Sequence, residues 1–312
     1  MRNINLATKT LKAIEDAIAK DQGAAYRQNL QKVLPHMGDA YRGVEDNPYR
    51  SHLGASVIGT NCPRAIWYGF RWFTKPSFTG RILRLFNRGH MEEARFIACL
   101  LTIGCQVYQQ DEHGKQYRIS DLGGHFGGSS DGVVIGLPDL PPGLPAVAEF
   151  KTHSDKYFKQ LKTEGVRVSK FEHFVQMQVY MRKMGVTVAL YMAVNKNDDE
   201  LYAEIVQLET IVADQFIDRG RQIIMLKVAP DKISKTPGWF ECSWCDHKPV
   251  CHLKKAPERN CRTCIHSDPR EDGRWYCTNG NQIERAASQG WEDPIELTTE
   301  AQLKGCEDHE SF

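Results

Sequence analysis

Seven of the ten cysteines in this chain of 312 residues fall between Cys242 and the end, and only Cys62, Cys99 and Cys105 come earlier. In a reducing compartment such crowding favours metal or cluster ligation over disulfides. From Trp239 onward the sequence is rich in Cys, Gly and charge and poor in regular periodicity, so it needs metal to hold it. The expected organisation is a helical lead-in over 1–50, a core over 51–255 closed by four cysteines, and a small Cys-rich domain over 256–312.

The remainder reads as an ordinary globular protein. Hydrophobic residues make up 41% and charged residues 25%, and no run approaches the ~20 apolar residues that span a bilayer. No membrane partner is expected. The opening MRNINLATKTLKAIEDAIAKD reads as an amphipathic helix, not a secretory signal, which implies a cytoplasmic location, the host's if the protein is phage-encoded. A net charge of +1 excludes nucleic-acid binding by bulk charge, so any DNA surface must be local.

Periodicity predicts helices over 5–45 and from about Gly80 to Ile103, then short extended runs at Val107, Tyr117 to Ile119, Val133 to Ile135 and Val147 to Phe150. A short helix follows over Asp155 to Thr163, and Ser169 with Glu172 forms a capping-box signature for a helix ending near Gly185. Strand-like runs at Val188 to Val194 and Leu201 to Val206 and a helix from Thr210 to Lys227 complete the core. The fold class is α/β: a central mixed sheet flanked by helices, with a Cys-rich, metal-stabilised tail.

The segment GGSSDGVVIGLPDLPPGLPAVAEFKTHS carries the chemistry. Strand alternation puts Glu149 and Lys151 on one face and Ala148 and Phe150 on the other. In strand-turn-strand geometry Asp131 sits beside Glu149, giving two carboxylates for a hard cation such as Mg²⁺ or Mn²⁺, while Lys151 positions or deprotonates a water. A phosphodiester needs both a cation on its oxygen and an activated water. Glu92 and Glu93 rank below Asp131 and Glu149 as supports.

These residues resemble the PD-(D/E)xK nuclease superfamily, specifically its RecB-like branch, over roughly residues 55 to 252. The resemblance implies a restriction-endonuclease-like core. It also implies that His90, on the helix upstream, and the Phe150 carbonyl join Asp131 and Glu149 as metal ligands. Gln176-Met-Gln-Val-Tyr180 matches the branch's QxxxY helix, which implies that Gln176 and Tyr180 belong to the catalytic set and orient Lys151 or a DNA phosphate. Ser130 stands where the nominal motif has proline. Cys62-Pro63-Arg64 with Cys242, Cys245 and Cys251 is similar to the cysteine set of the iron–sulfur members; four thiolates suit a [4Fe–4S] cluster or zinc.

Cys261 and Cys264 with Cys277 and Cys306 read as a zinc site, with His266 a competing ligand. Cys99 and Cys105 read as plain buried residues. Arg81, Arg84 and Arg88, and likewise Lys156, Lys159 and Lys162, fall at helical spacing and form two stripes for DNA phosphates flanking the proposed metal site. The expected activity is a DNA exonuclease of recombination, repair or phage DNA processing, with a single-strand annealing protein as a possible partner. The alternatives are an endonuclease or CRISPR-adaptation-like end trimmer, and a non-catalytic metal-stabilised nucleic-acid-binding protein.

Overall fold

A computed structural model describes residues 4–41, 43, 47–110, 116–289 and 295–312. In chain order it contains α1 (Thr8–Lys20), α2 (Ala24–Val33), β1 (Leu53–Gly54), α3 (Pro63–Phe70), α4 (Gly80–Thr102), β2 (Gln106–Tyr108) and β3 (Arg118–Asp121). There follow β4 (Phe126–Ser129), β5 (Gly132–Ile135), β6 (Ala146–His153), α5 (Asp155–Ser169), α6 (Phe171–Met184), β7 (Val188–Asn195), β8 (Leu201–Gln207) and α7 (Thr210–Met225). The last part carries α8 (Phe240–Ser243), α9 (Lys248–His252), β9 (Ser267–Pro269), β10 (Trp275–Cys277), α10 (Gly280–Ser288), β11 (Ile295–Glu296) and α11 (Thr299–Lys304). Among the described residues no helix is long and apolar enough to cross a membrane.

Two compact units emerge, and they are interleaved in sequence, unlike the consecutive expected parts. One comprises Met1–Val44, Phe78–Ile119 and Gly128–Gln215; the other comprises Glu45–Ser77, Ser120–Gly127 and Phe216–Phe312. The interleaving has a physical cause in long-range pairing: β1 is in parallel register with β4, Leu53 opposite Phe126.

The first unit is built on a mixed five-stranded sheet in the order β2-β5-β6-β7-β8, parallel only between β6 and β7. That parallel pair needs a crossover, supplied by α5 and α6. β7, VALYMAVN, is buried at every position, as expected of a central strand covered on both faces. One face presents Ala148, Phe150, Leu190 and Met192 to a core with Ile14, Phe96 and Leu100 of α1 and α4. The other presents Glu149, Lys151 and Tyr191 on the side where α5 and α6 pack.

Local details depart from the sequence reading. Ser169 does not cap α6: its hydroxyl donates to the Gly165 carbonyl at 2.7 Å, and Lys170 occupies the N-cap position. Helix α5 runs on past Thr163 through a kink at Gly165, whose φ of 73° aims the Val166 N–H at the buried carboxylate of Glu204, 2.9 Å away. The end of α6 is as expected, with Gly185 left-handed at φ 68°.

The second unit has short elements and a different interior. The guanidiniums of Arg71 and Arg262 are buried among aromatic rings: Arg262 lies 3.8 Å from the Trp72 ring centroid, and Arg71 lies 5.0 Å from that of Trp67. Most of their partners are neutral oxygens, although the Arg71 Nε has no hydrogen-bond acceptor among the described residues. Arg71 donates to the Ser267 hydroxyl at 3.1 Å, and Arg262 donates to the Gln302 side chain at 2.8 Å and the Phe70 carbonyl at 3.1 Å. Burial pushes their pKa values down to about 10 and about 9, which still leaves both charged at neutral pH.

Candidate active site

The antiparallel register of β5 and β6 pairs Gly132 with Ala148, so Asp131, one residue earlier, lies alongside Glu149. Asp131 is fastened by its Oδ2, which accepts the Phe150 N–H at 2.7 Å. Glu149 has no exposed surface. Its carboxylate forms an ion pair with the Lys151 ammonium, and its Oε2 accepts a hydrogen bond from the Gln176 side-chain amide at 3.0 Å. Lys151 also donates to the Phe150 carbonyl at 3.1 Å. The ammonium therefore touches two of the groups assigned to a cation in the sequence reading.

Helix α6 supplies a stripe at i, i+3 and i+7. His173 meets the Tyr191 hydroxyl at 3.0 Å, Gln176 meets Glu149, and Tyr180 donates to the Ser129 carbonyl at 2.8 Å. Tyr180 is thus a positioning residue: it anchors the strand that leads into Asp131. Its approach requires Gly128, where a Cβ would lie 2.5 Å from the Tyr180 hydroxyl. Tyr191, which is opposite Glu149 in the sheet, is also bonded to His153 at 2.9 Å, so a His-Tyr-His group, with His153 and Tyr191 buried and His173 half-buried, lies beside the acidic pair.

From α4, His90 Nδ1 lies 3.6 Å from Glu93 Oε1, and Glu93 feels the charges of Asp131 and Lys151. Glu93 is thus a member of the site that the sequence reading ranked too low; its signal was the i, i+3 spacing from His90. Glu92 points elsewhere and pairs with Arg95 at 3.1 Å.

Electrostatics mark the site as overloaded with negative charge. Burial raises the Glu149 carboxyl to about 7, the nearby Asp131 and Glu93 push the same way, and Lys151 opposes them. Burial works against the Lys151 charge too, yet Glu149 and Asp131 outweigh it and hold the ammonium protonated. Asp131, Glu149 and Glu93 thus share one ammonium, a balance that suits a divalent cation. Among the described residues, no three His, Cys, Asp or Glu side chains are already drawn together at metal-binding geometry.

No protein-family model and no curated protein matches the chain. Among solved structures it is similar to SSO0001, at 15% identity and a TM-score of 0.38, over 75% of this chain and 100% of that one. It is also similar to an alkaline exonuclease (LHK-Exo) from Laribacter hongkongensis, at 16% identity and a TM-score of 0.39, over 56% of this chain and 86% of that one. The same exonuclease in complex with dAMP gives 15% and 0.38 over the same shares. Likenesses of this size leave the reading of the site to the residues of this chain.

The basic stripes fall differently from the sequence reading. Arg81, Arg84 and Arg88 share their face of α4 with Glu92 and Arg95, away from His90 and Glu93, and Arg88 donates to the Lys196 carbonyl at 3.1 Å. On α5, Lys159 pairs with Asp155 at 2.8 Å, Lys162 pairs with Glu200, and Lys156 sits over the Tyr157 ring at 5.8 Å.

In the second unit Cys62, Cys242, Cys245 and Cys251 line one cavity of about 20 Å³, together with the basic residues Arg64, Lys232 and Lys248. The other set, Cys261, Cys264, Cys277 and Cys306, is close enough that its thiols influence one another's ionisation, and burial raises Cys261 to about 12. His266, the competing ligand, faces Glu310 at 3.3 Å instead. Burial raises Cys99 to about 12 and Cys105 to about 11, as for inert core thiols.

Proposed function

We propose that this chain is a Mg²⁺- or Mn²⁺-dependent DNA nuclease of the PD-(D/E)xK, RecB-like type, with a restriction-endonuclease-like core, acting as an exonuclease in recombination, repair or phage DNA processing. The observation that carries this reading is the convergence of Asp131, Glu149, Glu93 and Lys151, in which buried negative charge exceeds the one ammonium beside it. Asp131, Glu149 and the Phe150 carbonyl are the groups to hold a cation, with His90 and Glu93 behind them. When bound, a divalent ion lowers the pKa of a water and neutralises the phosphodiester.

The chain's own residues divide the remaining work. Lys151, held protonated, serves as a fixed positive charge for the developing phosphorane oxygens and not as a base. Glu149, raised by burial to about 7, would exchange its proton for the cation it helps to hold. Gln176 fixes the Glu149 carboxylate and Tyr180 fixes the strand before Asp131.

The two cysteine sets fit metal by donor chemistry. Four sulfurs lining one cavity suit a [4Fe–4S] cluster or zinc, and basic neighbours offset thiolate charge; the second four suit zinc. Iron, sulfide and zinc contents of the purified protein separate these assignments.

The deciding experiment incubates labelled linear and circular DNA with Mg²⁺ or Mn²⁺, comparing the wild type with Asp131→Asn and Lys151→Ala. Metal-dependent loss of linear DNA that falls by about 10²-fold or more in both variants is expected. Cutting of circles means an endonuclease, and absence of any metal-dependent loss in the wild type rejects the reading.

A further inference from the structure

Helix α4 is unusually exposed over its first turns. From Phe78 to Met91 the sequence carries Arg81, Arg84, Arg88 and His90 and no Asp or Glu. Among the described residues, none of the three arginines lies at ion-pair distance from a carboxylate. Arg88 also faces Lys196, whose ammonium pKa is lowered by burial and then by Arg88. The segment thus projects positive charge toward solvent, the signature of a polyanion surface.

The other face of the same segment is apolar and equally exposed. Leu83 is 52% exposed, and Phe78 and Phe86 are each 45% exposed. The two phenylalanine rings stand edge-to-face with centroids 5.1 Å apart, an ordered pair offering ring surface to solvent. Leu83, Phe86, His90 and Glu93 follow one another at i, i+3, i+7 and i+10, so this stripe runs along a single helix face into the acidic site. Large apolar side chains at such spacing, about half exposed, call for a partner.

We propose that Phe78, Leu83 and Phe86 form a stacking platform for the unpaired bases of a single-stranded DNA end, leading it along α4 to the site at His90 and Glu93. The assignment rests on the nuclease reading for the identity of that site. The partner's chemistry follows from the segment itself: aromatic rings for bases, with the arginines on the opposite face adding positive potential that favours a polyanion. Duplex DNA does not satisfy the rings, because its bases already stack on one another. A second copy meeting through the same segment would bring three more arginines and no acid, because 78–91 contains neither Asp nor Glu.

The test measures equilibrium binding in the Asp131→Asn background without divalent metal, so it does not depend on cleavage. The probe is a single-stranded oligonucleotide carrying 2-aminopurine, whose emission is quenched when it stacks, alongside a blunt duplex of the same sequence. Wild-type Phe86 is expected to quench the probe, and Phe86→Ala to weaken single-strand binding about 5- to 100-fold while changing duplex binding by less than about twofold. Phe86→Trp should restore binding and Phe86→Leu should not, which separates ring stacking from mere burial. Equal losses on single strand and duplex, full rescue by Leu, or a concentration-dependent dimer in sedimentation that Phe86→Glu dissolves would each overturn the proposal. Cleavage with unchanged Phe86→Ala binding rejects the platform alone; quenching without metal-dependent cleavage rejects the nuclease reading alone.

Discussion

Both units of this protein bury charge, but they surround it differently. In the first, burial drives the Glu149 carboxyl up to about 7; Asp131 and Glu93 push the same way and one ammonium opposes them. In the second, the guanidiniums of Arg71 and Arg262 rest on aromatic faces and donate to carbonyl, hydroxyl and amide oxygens, with only the Arg71 Nε left without an acceptor among the described residues. Burial of charge alone therefore does not mark a working site. The partners differ: the carboxylates crowd against other acids, a balance that suits the proposed cation, whereas the guanidiniums lie on aromatic rings and donate mainly to neutral oxygens.

The comparison breaks first, and by most, at the sulfur groups. On the proposed ligation, chelation of metal from the cysteine sets should remove on the order of 10 kcal/mol from the second unit and leave the first folded. All six tryptophans fall within the sequence ranges of the second unit, at positions 67, 72, 239, 244, 275 and 291, so tryptophan emission follows that unit. Far-UV circular dichroism, weighted to α1, α2, α4, α5 and α6, follows chiefly the first, since of the long helices only most of α7 belongs to the second. A red-shifted emission with retained helix signal is the expected result; joint loss of both signals would show that the units do not stand apart.

A smaller effect tests the acidic cluster. The Glu149 carboxyl ionises near 4.5 when unfolded and near 7 in the fold, so the folded state holds a proton that the unfolded state has released between those values. Stability is therefore fully present below about pH 4.5 and declines as pH rises toward 7, by at most ~3 kcal/mol. Denaturant melts followed by circular dichroism without divalent ions should show that decline, and Mg²⁺ or Mn²⁺ should abolish it by replacing the proton. Flat stability across this range would deny the surplus of negative charge.

The smallest effect sharpens the account of how the site is framed. Gly128→Ala places a methyl against the Tyr180 hydroxyl and should cost about 1–3 kcal/mol, most of it recovered in the double variant Gly128→Ala, Tyr180→Phe. A double variant no more stable than the single one would separate Tyr180 from the close approach at Gly128.

Much of this arrangement was legible in the residues because the information is periodic. The alternation in AVAEFKTH put Glu149 and Lys151 on one face, and the QMQVY spacing aligned Gln176 with Tyr180. Local patterns misled where a tertiary contact offered more. Ser169 turned back to Gly165 because that kink serves the buried Glu204, and the arginine trio, though correctly spaced, took the helix face away from His90.

The sequence by itself determined which residues share a face, since that depends only on the repeat of a helix or strand. Only the tertiary structure decided which faces meet: that Gln176 reaches Glu149, that Glu93 rather than Glu92 joins the acidic pair, and that Cys62 lines a cavity with three cysteines some 180 residues away. The reason is physical. Periodicity is fixed by backbone geometry within a few residues, whereas the meeting of faces is fixed by packing, register and charge among segments far apart in the chain.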